Sequence, residues 1–179
     1  ARHAGARVFA TAGTPAKVQM CLDLGADIAI NYRDEDFAEV ILAETANRGV
    51  DVVFDTVGEA VMEPSMKCTA YNGHYLMLGF ASNKAVADEP FVVPRRVALG
   101  NFKLSGVLLA YANEELATLV KTAMGWNFAS SQLGAAIMRE IVTLVEEQKV
   151  HAVVGRVVEF DQIPQAITAM ANRETVGRT

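Results

Sequence analysis

The sequence predicts an α/β fold, a doubly wound parallel sheet with helices on its faces. Three observations lead there. Short β-branched runs alternate with segments of helical period from end to end, the pattern of strands joined by crossover helices. Two of the runs, VDVVFDTVG from Val50 and HYLMLGF from His74, are nearly continuous in apolar residues, as strands covered on both faces are. No repeat or low-complexity linker interrupts the 179 residues, and at 51% hydrophobic and 21% charged they have the composition of one ordinary globular domain.

The elements follow in order. RVFATA, residues 7–12, is the first strand. Thr14 then offers an N-cap, and Pro15 stands where a first helical turn tolerates it. Val18, Cys21, Leu22 and Gly25 keep the i, i+3, i+4, i+7 spacing of a helix that stops at Gly25. DIAIN, from Asp27, is the second strand. Phe37, Val40 and Ile41 mark the next helix, which Gly49 closes. VDVVFDTVG is the third strand, and a short helix over 60–69 follows it. Asn72 and Gly73 read as a turn into the fourth strand, which ends at Gly79 and Phe80. Residues 81–96 show no period and contain two prolines, which predicts a surface loop. NFKLSGVLL, residues 101–109, is a further strand. Leu116, Leu119, Val120 and Ala123 define one helix, and Ile137, Ile141, Leu144 and Val145 another, with Arg139, Glu140, Glu146 and Glu147 on its charged face. VVGRVVEF, a turn at Asp161, and a helix carrying Ile163, Ile167 and Met170 complete the chain.

Composition excludes several classes of function. Every apolar segment is shorter than the roughly 20 residues that span a bilayer, so no transmembrane helix is expected. The first residues lack the apolar stretch and cleavage site of a secretory signal, which makes a cytoplasmic location the expectation. A formal charge of -5 and a pI near 5.2 give no electrostatic reason to bind nucleic acid or an anionic membrane. Cys21 and Cys68 stand apart with no CxxC and no histidine cluster, so buried thiols are expected rather than a zinc site or a disulfide. His3, His74 and His151 fall in different elements without a nucleophile or carboxylate motif, which predicts no catalytic role for them.

A doubly wound sheet binds its ligands beyond the carboxyl ends of its strands. Those ends are Ala12 to Thr14, Asn31 to Arg33, Asp55 to Gly58, and Gly79 to Ala81. Glycines there permit close approach of a ligand and equally serve ordinary turns. Asp55 sits at such a tip, where it could also cap the neighbouring helix. The first tip is the most specific. A site for NAD carries an acidic residue that binds the ribose 2′-hydroxyl and repels a 2′-phosphate, yet Asp and Glu are absent between Arg7 and Gln19. Lys17 lies one turn into the following helix, within reach of a phosphate that the Gly13 and Thr14 amides would also meet. This favours NADP(H) over NAD(H); a Lys17 that is merely a solvated helix residue fits the same spacing.

Taken together, GARVFATAGTPAKVQMCLDLGADIAINYRDEDF, GVDVVFDTVG, GHYLMLGFAS, NFKLSGVLL and VVGRVVEFDQIPQAITAMANRETVGRT resemble, in this order, the cofactor-binding domain of the medium-chain dehydrogenase/reductase superfamily. The nearest branch is the zinc-independent, zeta-crystallin-like NADPH:quinone oxidoreductases. The resemblance implies a Rossmann-type domain over residues 1–179 and NADPH as cofactor. It implies that Gly13, Thr14 and Lys17 hold the adenosine 2′-phosphate and that Tyr32 packs near the adenine ribose. Thr56 and Val57 would line the cofactor, Gly79 and Phe80 would stand beside the nicotinamide ribose, and Arg33 is a weaker addition. No residue of this chain is expected to act as a catalytic acid or base, and no metal ligand is expected. The resemblance also implies a homodimer through residues 101–109.

The family's AxxGGVG phosphate loop, its first strand and its N-terminal catalytic domain have no counterpart in the sequence, so a Rossmann-type sheet truncated at its N-terminus is expected. Loss of a central strand would leave two unpaired edges. The expected activity of the parent protein is hydride transfer from NADPH to a quinone or an activated enone. Alternatives are an enoyl reductase of fatty-acid or polyketide type and a non-catalytic dinucleotide-binding module. A methyltransferase would use a similar sheet, but RVFATAG lacks the acid that it usually carries at the second strand tip.

Overall fold

The computed structural model describes residues 1–79 and 94–178. Strand β1 (Phe9–Ala12) runs parallel to β2 (Ile28–Asn31), with Phe9 opposite Ile28 and Ala12 opposite Asn31. Helix α1 (Pro15–Asp23) joins them. Its start is the one read from the sequence: Thr14 Oγ1 accepts from the Lys17 amide at 3.4 Å, and Pro15 opens the helix, where its missing N–H costs nothing. Gly25, at φ 93, turns the chain out of the helix.

Helix α2 (Phe37–Glu44) starts on Asp36, whose Oδ1 accepts from the amides of Ala38 at 2.9 Å and Glu39 at 3.3 Å. It closes earlier than a stop at Gly49 suggests. Thr45 turns its hydroxyl back to the Ile41 carbonyl at 2.7 Å and receives the Gly49 amide at 2.9 Å, competing with further helical bonding. Ala46, Asn47 and Gly49 then adopt left-handed φ values of 51, 62 and 84.

Strands β3 (Val50–Asp55), β4 (Thr69–Met77) and β5 (Lys103–Gly106) form a three-stranded parallel sheet in that order, with α3 (Glu59–Lys67) and α4 (Pro94–Gly100) among them. Three expectations are corrected here. Asn72 and Gly73 do not make a turn before β4. They lie inside it, Asn72 at φ 59, and the β3–β4 register shifts between Val50 and Val52, a bulge that an asparagine tolerates and that leaves room for no side chain at Gly73. Pro94–Gly100 is a helix rather than loop, with proline in its first position; the rest of the expected loop, 81–93, and Phe80 lie outside the described residues. Finally, β3 is buried on one face only. Val53 packs with Met66, Tyr75 and Phe102 beneath α3 and α4, whereas Val52 and Phe54 on the opposite face are 56% and 65% exposed, because no described element covers them.

Beyond β5 the chain forms α5 (Glu114–Met124), capped by Asn113, and α6 (Ser131–Glu146), capped by Ser130. The two-residue strands β6 (Tyr111–Ala112) and β7 (Ala129–Ser130) pair in parallel at the starts of these helices. The turn at Asp161 is a short 3-10 segment, Phe160–Gln162, that leads into α7 (Ile163–Ala171). Within VVGRVVEF, Val154 bridges to Arg178.

Two apolar clusters hold the sheets. The second is the one beneath α3 and α4. The first joins Ile30 of β2 to Phe37, Ala38 and Ile41 of α2 and to Cys68, with Val50 of β3 packed against it, so it couples the β1–β2 sheet to the β3–β4–β5 sheet. Among the described residues no strand pairs with the remaining edge of β1 or of β3. None of the described helices is long and apolar enough to cross a membrane.

Candidate functional site

The predicted site residues other than Phe80, which lies outside the described residues, gather in two clusters at the carboxyl ends of the strands. At the first, the Tyr32 amide donates to the Ala12 carbonyl at 3.1 Å and continues the β1–β2 ladder by one residue. That step lays the Tyr32 ring against Gly13. A Cβ on Gly13 would stand 2.5 Å from Tyr32 Oη, 2.8 Å from its Cζ and 3.3 Å from Arg33 Nε, so glycine is what allows the tyrosine and the arginine to converge on this tip. Asn31 builds the turn that presents them: its Oδ1 accepts from the Arg33 amide at 3.2 Å, and its Nδ2 donates to Asp34 at 2.5 Å. Thr14 caps α1, whose first turn carries no acidic residue. Lys17 is half-buried, and its Nζ donates to the Arg173 carbonyl at 2.6 Å, just beyond α7. Sequence spacing had no means of finding that contact, which joins residues 156 positions apart.

The second cluster is made by β3 and β4. The amides of Leu78 and Gly79 both donate to the Asp55 carbonyl, at 2.9 and 3.1 Å. Gly79 thereby lies against Thr56 so closely that a Cβ would fall 1.9 Å from the Thr56 carbonyl oxygen. Thr56 is exposed, Val57 half-buried and Gly58 buried. The Asp55 carboxylate, 4% exposed, accepts from the amides of Val57 at 2.8 Å and Gly58 at 3.0 Å and from Tyr75 Oη at 2.5 Å. The carboxylate thus braces the turn ahead of α3 and does not cap that helix, whose N-cap is Gly58 with no side-chain hydrogen bond; the tyrosine is an addition that sequence did not disclose. Burial, with the Asp55 carboxylate beside it, pushes the Tyr75 phenol well above its ordinary pKa. Burial also raises the Cys68 thiol, to about 11.

The described residues show no hydrogen bond or ion pair between the two clusters. A surface cavity of about 380 Å³ lies against α7, lined by Pro164, Gln165, Thr168, Ala169 and Glu174.

The profile of the zinc-binding dehydrogenases matches residues 1–124. The chain belongs to that family. The resemblance to the medium-chain dehydrogenase/reductase superfamily and the α/β class with parallel sheets are thereby borne out. The chain is 41% identical over 93 residues to a 2-haloacrylate reductase of a Burkholderia species, a match that covers 52% of this chain and 27% of that protein. It is 38% identical over 82 residues to a quinone oxidoreductase of Salmonella typhimurium, covering 46% and 25%. Among solved structures, a mycobacterial quinone oxidoreductase superposes with a TM-score of 0.70 at 26% identity, over 98% of this chain and 49% of that one. The matches thus span about a quarter of the length of these two curated relatives.

The family's name raises the question of zinc. Among the described residues no three His, Cys, Asp or Glu side chains come together as a zinc site needs. The first tip is better suited to a dinucleotide of this dehydrogenase family. It combines a capped helix N-terminus, an acid-free strand end, and Lys17 and Arg33 nearby.

Proposed function

We propose that the chain is the cofactor-binding part of an NADPH-dependent oxidoreductase that transfers hydride to a quinone or an activated enone. The observation that carries this is the β1 tip. There, Gly13 lies under Tyr32 and beside Arg33, Thr14 caps α1, Lys17 follows one turn later, and α1 opens without an acidic side chain. A 2′-phosphate suits such a tip, because helix N-terminal amides and ammonium or guanidinium groups stabilise an anion that a carboxylate would repel. The relatives named quinone oxidoreductase and 2-haloacrylate reductase agree with the reaction class; both names describe reductions of electron-poor, unsaturated acceptors.

NADPH supplies the hydride when bound. This chain's own residues bind and orient: Lys17, Arg33 and the Thr14 amide hold the 2′-phosphate, Tyr32 flanks the adenine ribose, and Thr56, Val57 and Gly79 line the path toward the nicotinamide. To contact the phosphate, Lys17 exchanges its bond to the Arg173 carbonyl for a charged partner. No proton-transfer step is assigned to this chain, because dehydrogenase chemistry of this kind rests on placing the cofactor against the acceptor. The homodimer belongs to the same proposal. β5 is the outer strand of its sheet, and Leu108 and Leu109 just after it are 52% and 70% exposed.

The full-length protein tests this. NADPH oxidation that depends on an added quinone or enone is expected, with NADH a poorer donor. Tight NADPH binding without oxidation by either class of acceptor would make the protein a dinucleotide-binding module instead.

A further inference from the structure

Behind the second strand tip lies a buried polar pair that the proposed function does not use. Asp55 and Tyr75 are 4% and 0% exposed, on adjacent strands. One carboxylate oxygen takes the Tyr75 hydroxyl at 2.5 Å, and the other takes the consecutive amides of Val57 and Gly58 at 2.8 and 3.0 Å. The Asp55 backbone carbonyl meanwhile receives Leu78 and Gly79. Ser65, itself buried, lies beside the same phenol.

A carboxylate removed from water needs its lone pairs occupied, and here three donors occupy them. Two of the three are the amides of the turn, so whatever orients the carboxylate also orients residues 56–58. Among the described residues, only the Tyr75 hydroxyl performs that task from outside the turn. Filling the core would need the ring but not the hydroxyl, because Met66 and Phe102 pack around it as they would around phenylalanine. Gly58, at φ 90 and ψ -138, holds a conformation that only glycine adopts readily, so the turn itself is built for this backbone path.

We propose that Asp55 and Tyr75 are positioning residues for the cofactor: the Tyr75–Asp55 hydrogen bond presets the turn at 56–58 in the form that receives the dinucleotide. Neither residue need touch the ligand. The inference rests on the reading of Thr56 and Val57 as cofactor-lining, and it adds the device that holds them ready. A preset turn spares binding the loss of freedom that a mobile one would incur.

The test uses the full-length protein and its Tyr75→Phe variant, which keeps the ring and deletes the hydroxyl. The expected result is a rise of about tenfold in the Kd and KM for NADPH, the effect of one charge-assisted hydrogen bond, with kcat at saturating cofactor changed by less than about twofold. Asp55→Asn keeps an acceptor for the amides and a polar partner for Tyr75, and should retain most of the affinity that Asp55→Ala loses. A Tyr75→Phe protein with a lower melting temperature and unchanged NADPH affinity would overturn the inference, because the pair would then serve stability alone. Wild-type protein that binds neither NADPH nor NADH would overturn the functional reading together with it. If Tyr75→Phe does not fold, amide hydrogen exchange in the wild type decides. Val57 and Gly58 should be protected equally with and without NADPH, and protection that appears only on binding would refute a preset turn.

Discussion

Two glycines at the two tips differ in what a methyl group would strike, and the difference predicts different phenotypes. A Cβ on Gly79 would lie 1.9, 2.0 and 2.6 Å from the carbonyl oxygen, carbonyl carbon and Cα of Thr56, all of them backbone. Reaching ordinary contact at 3.4 Å from 1.9 Å requires the ends of β3 and β4 to separate by about 1.5 Å. The Asp55 carbonyl, which holds Leu78 and Gly79, resists that movement. Overpacking of this kind costs roughly 1–3 kcal/mol, and here the upper end applies because no side chain can yield. On Gly13 the added Cβ would meet Tyr32 Oη at 2.5 Å and Cζ at 2.8 Å, the far end of a side chain that is 39% exposed and can swing outward. Gly13→Ala should therefore cost less than about 1 kcal/mol of stability while displacing Tyr32 from the cofactor. Thermal unfolding and NADPH titration of the full-length variants separate the two effects: Gly79→Ala lowers the melting temperature and, by displacing Thr56, NADPH affinity with it, whereas Gly13→Ala weakens NADPH binding at nearly unchanged melting temperature. A Gly79→Ala protein with wild-type stability would refute the apposition of Gly79 on Thr56.

Two further outcomes follow from the same structure. Cys68, 1% exposed and with its thiol raised to about 11, is more easily deprotonated in the unfolded chain than in the folded one. Its contribution is complete below the unfolded value near 9 and is lost as pH rises through 11. The melting temperature of the full-length protein should thus fall between pH 9 and 11, less steeply in Cys68→Ser than in wild type, and equal slopes would contradict the assignment. Residues 1–179 expressed alone should aggregate, because among the described residues β1 and β3 each keep an unpaired edge and Val52 and Phe54 form an exposed apolar face; a soluble monomer with one cooperative unfolding transition would show that these surfaces are tolerated.

Local signals were legible where local physics decides. Thr14 and Pro15 foretold the start of α1 because a cap and a first-turn proline act within one turn. The strand centres showed in their β-branched runs. The Asn72–Gly73 pair misled, since the dipeptide that favours a turn also supplies the left-handed residue of a bulge, and only pairing with β3 and β5 tells the two apart. Burial of Val52 and Phe54 was read from their apolarity, but burial depends on what covers a face, which no short window contains. β6 and β7, at two residues each, are too short for any period to appear. At the site, the glycines and Lys17 were visible as a pattern at one strand end, and the structure then added what lies far along the chain: the Tyr32 ring on Gly13, Arg173 against Lys17, and Tyr75 on Asp55. An aspartate ending an apolar strand was the one sequence signal for the last of these.

The central claim is that the β1 tip receives a 2′-phosphate, and the most direct measurement compares the affinities of full-length wild type and Lys17→Ala for NADPH and NADH. A hydrogen bond to a charged group contributes about 1.5–3 kcal/mol, so Lys17→Ala should weaken NADPH about 10- to 100-fold. NADH, which has no phosphate at this position, should change by less than about twofold, the loss of the Arg173 contact being common to both titrations. Equal losses for the two cofactors would contradict the account and return Lys17 to the role of a lysine that only ties α1 to the end of α7.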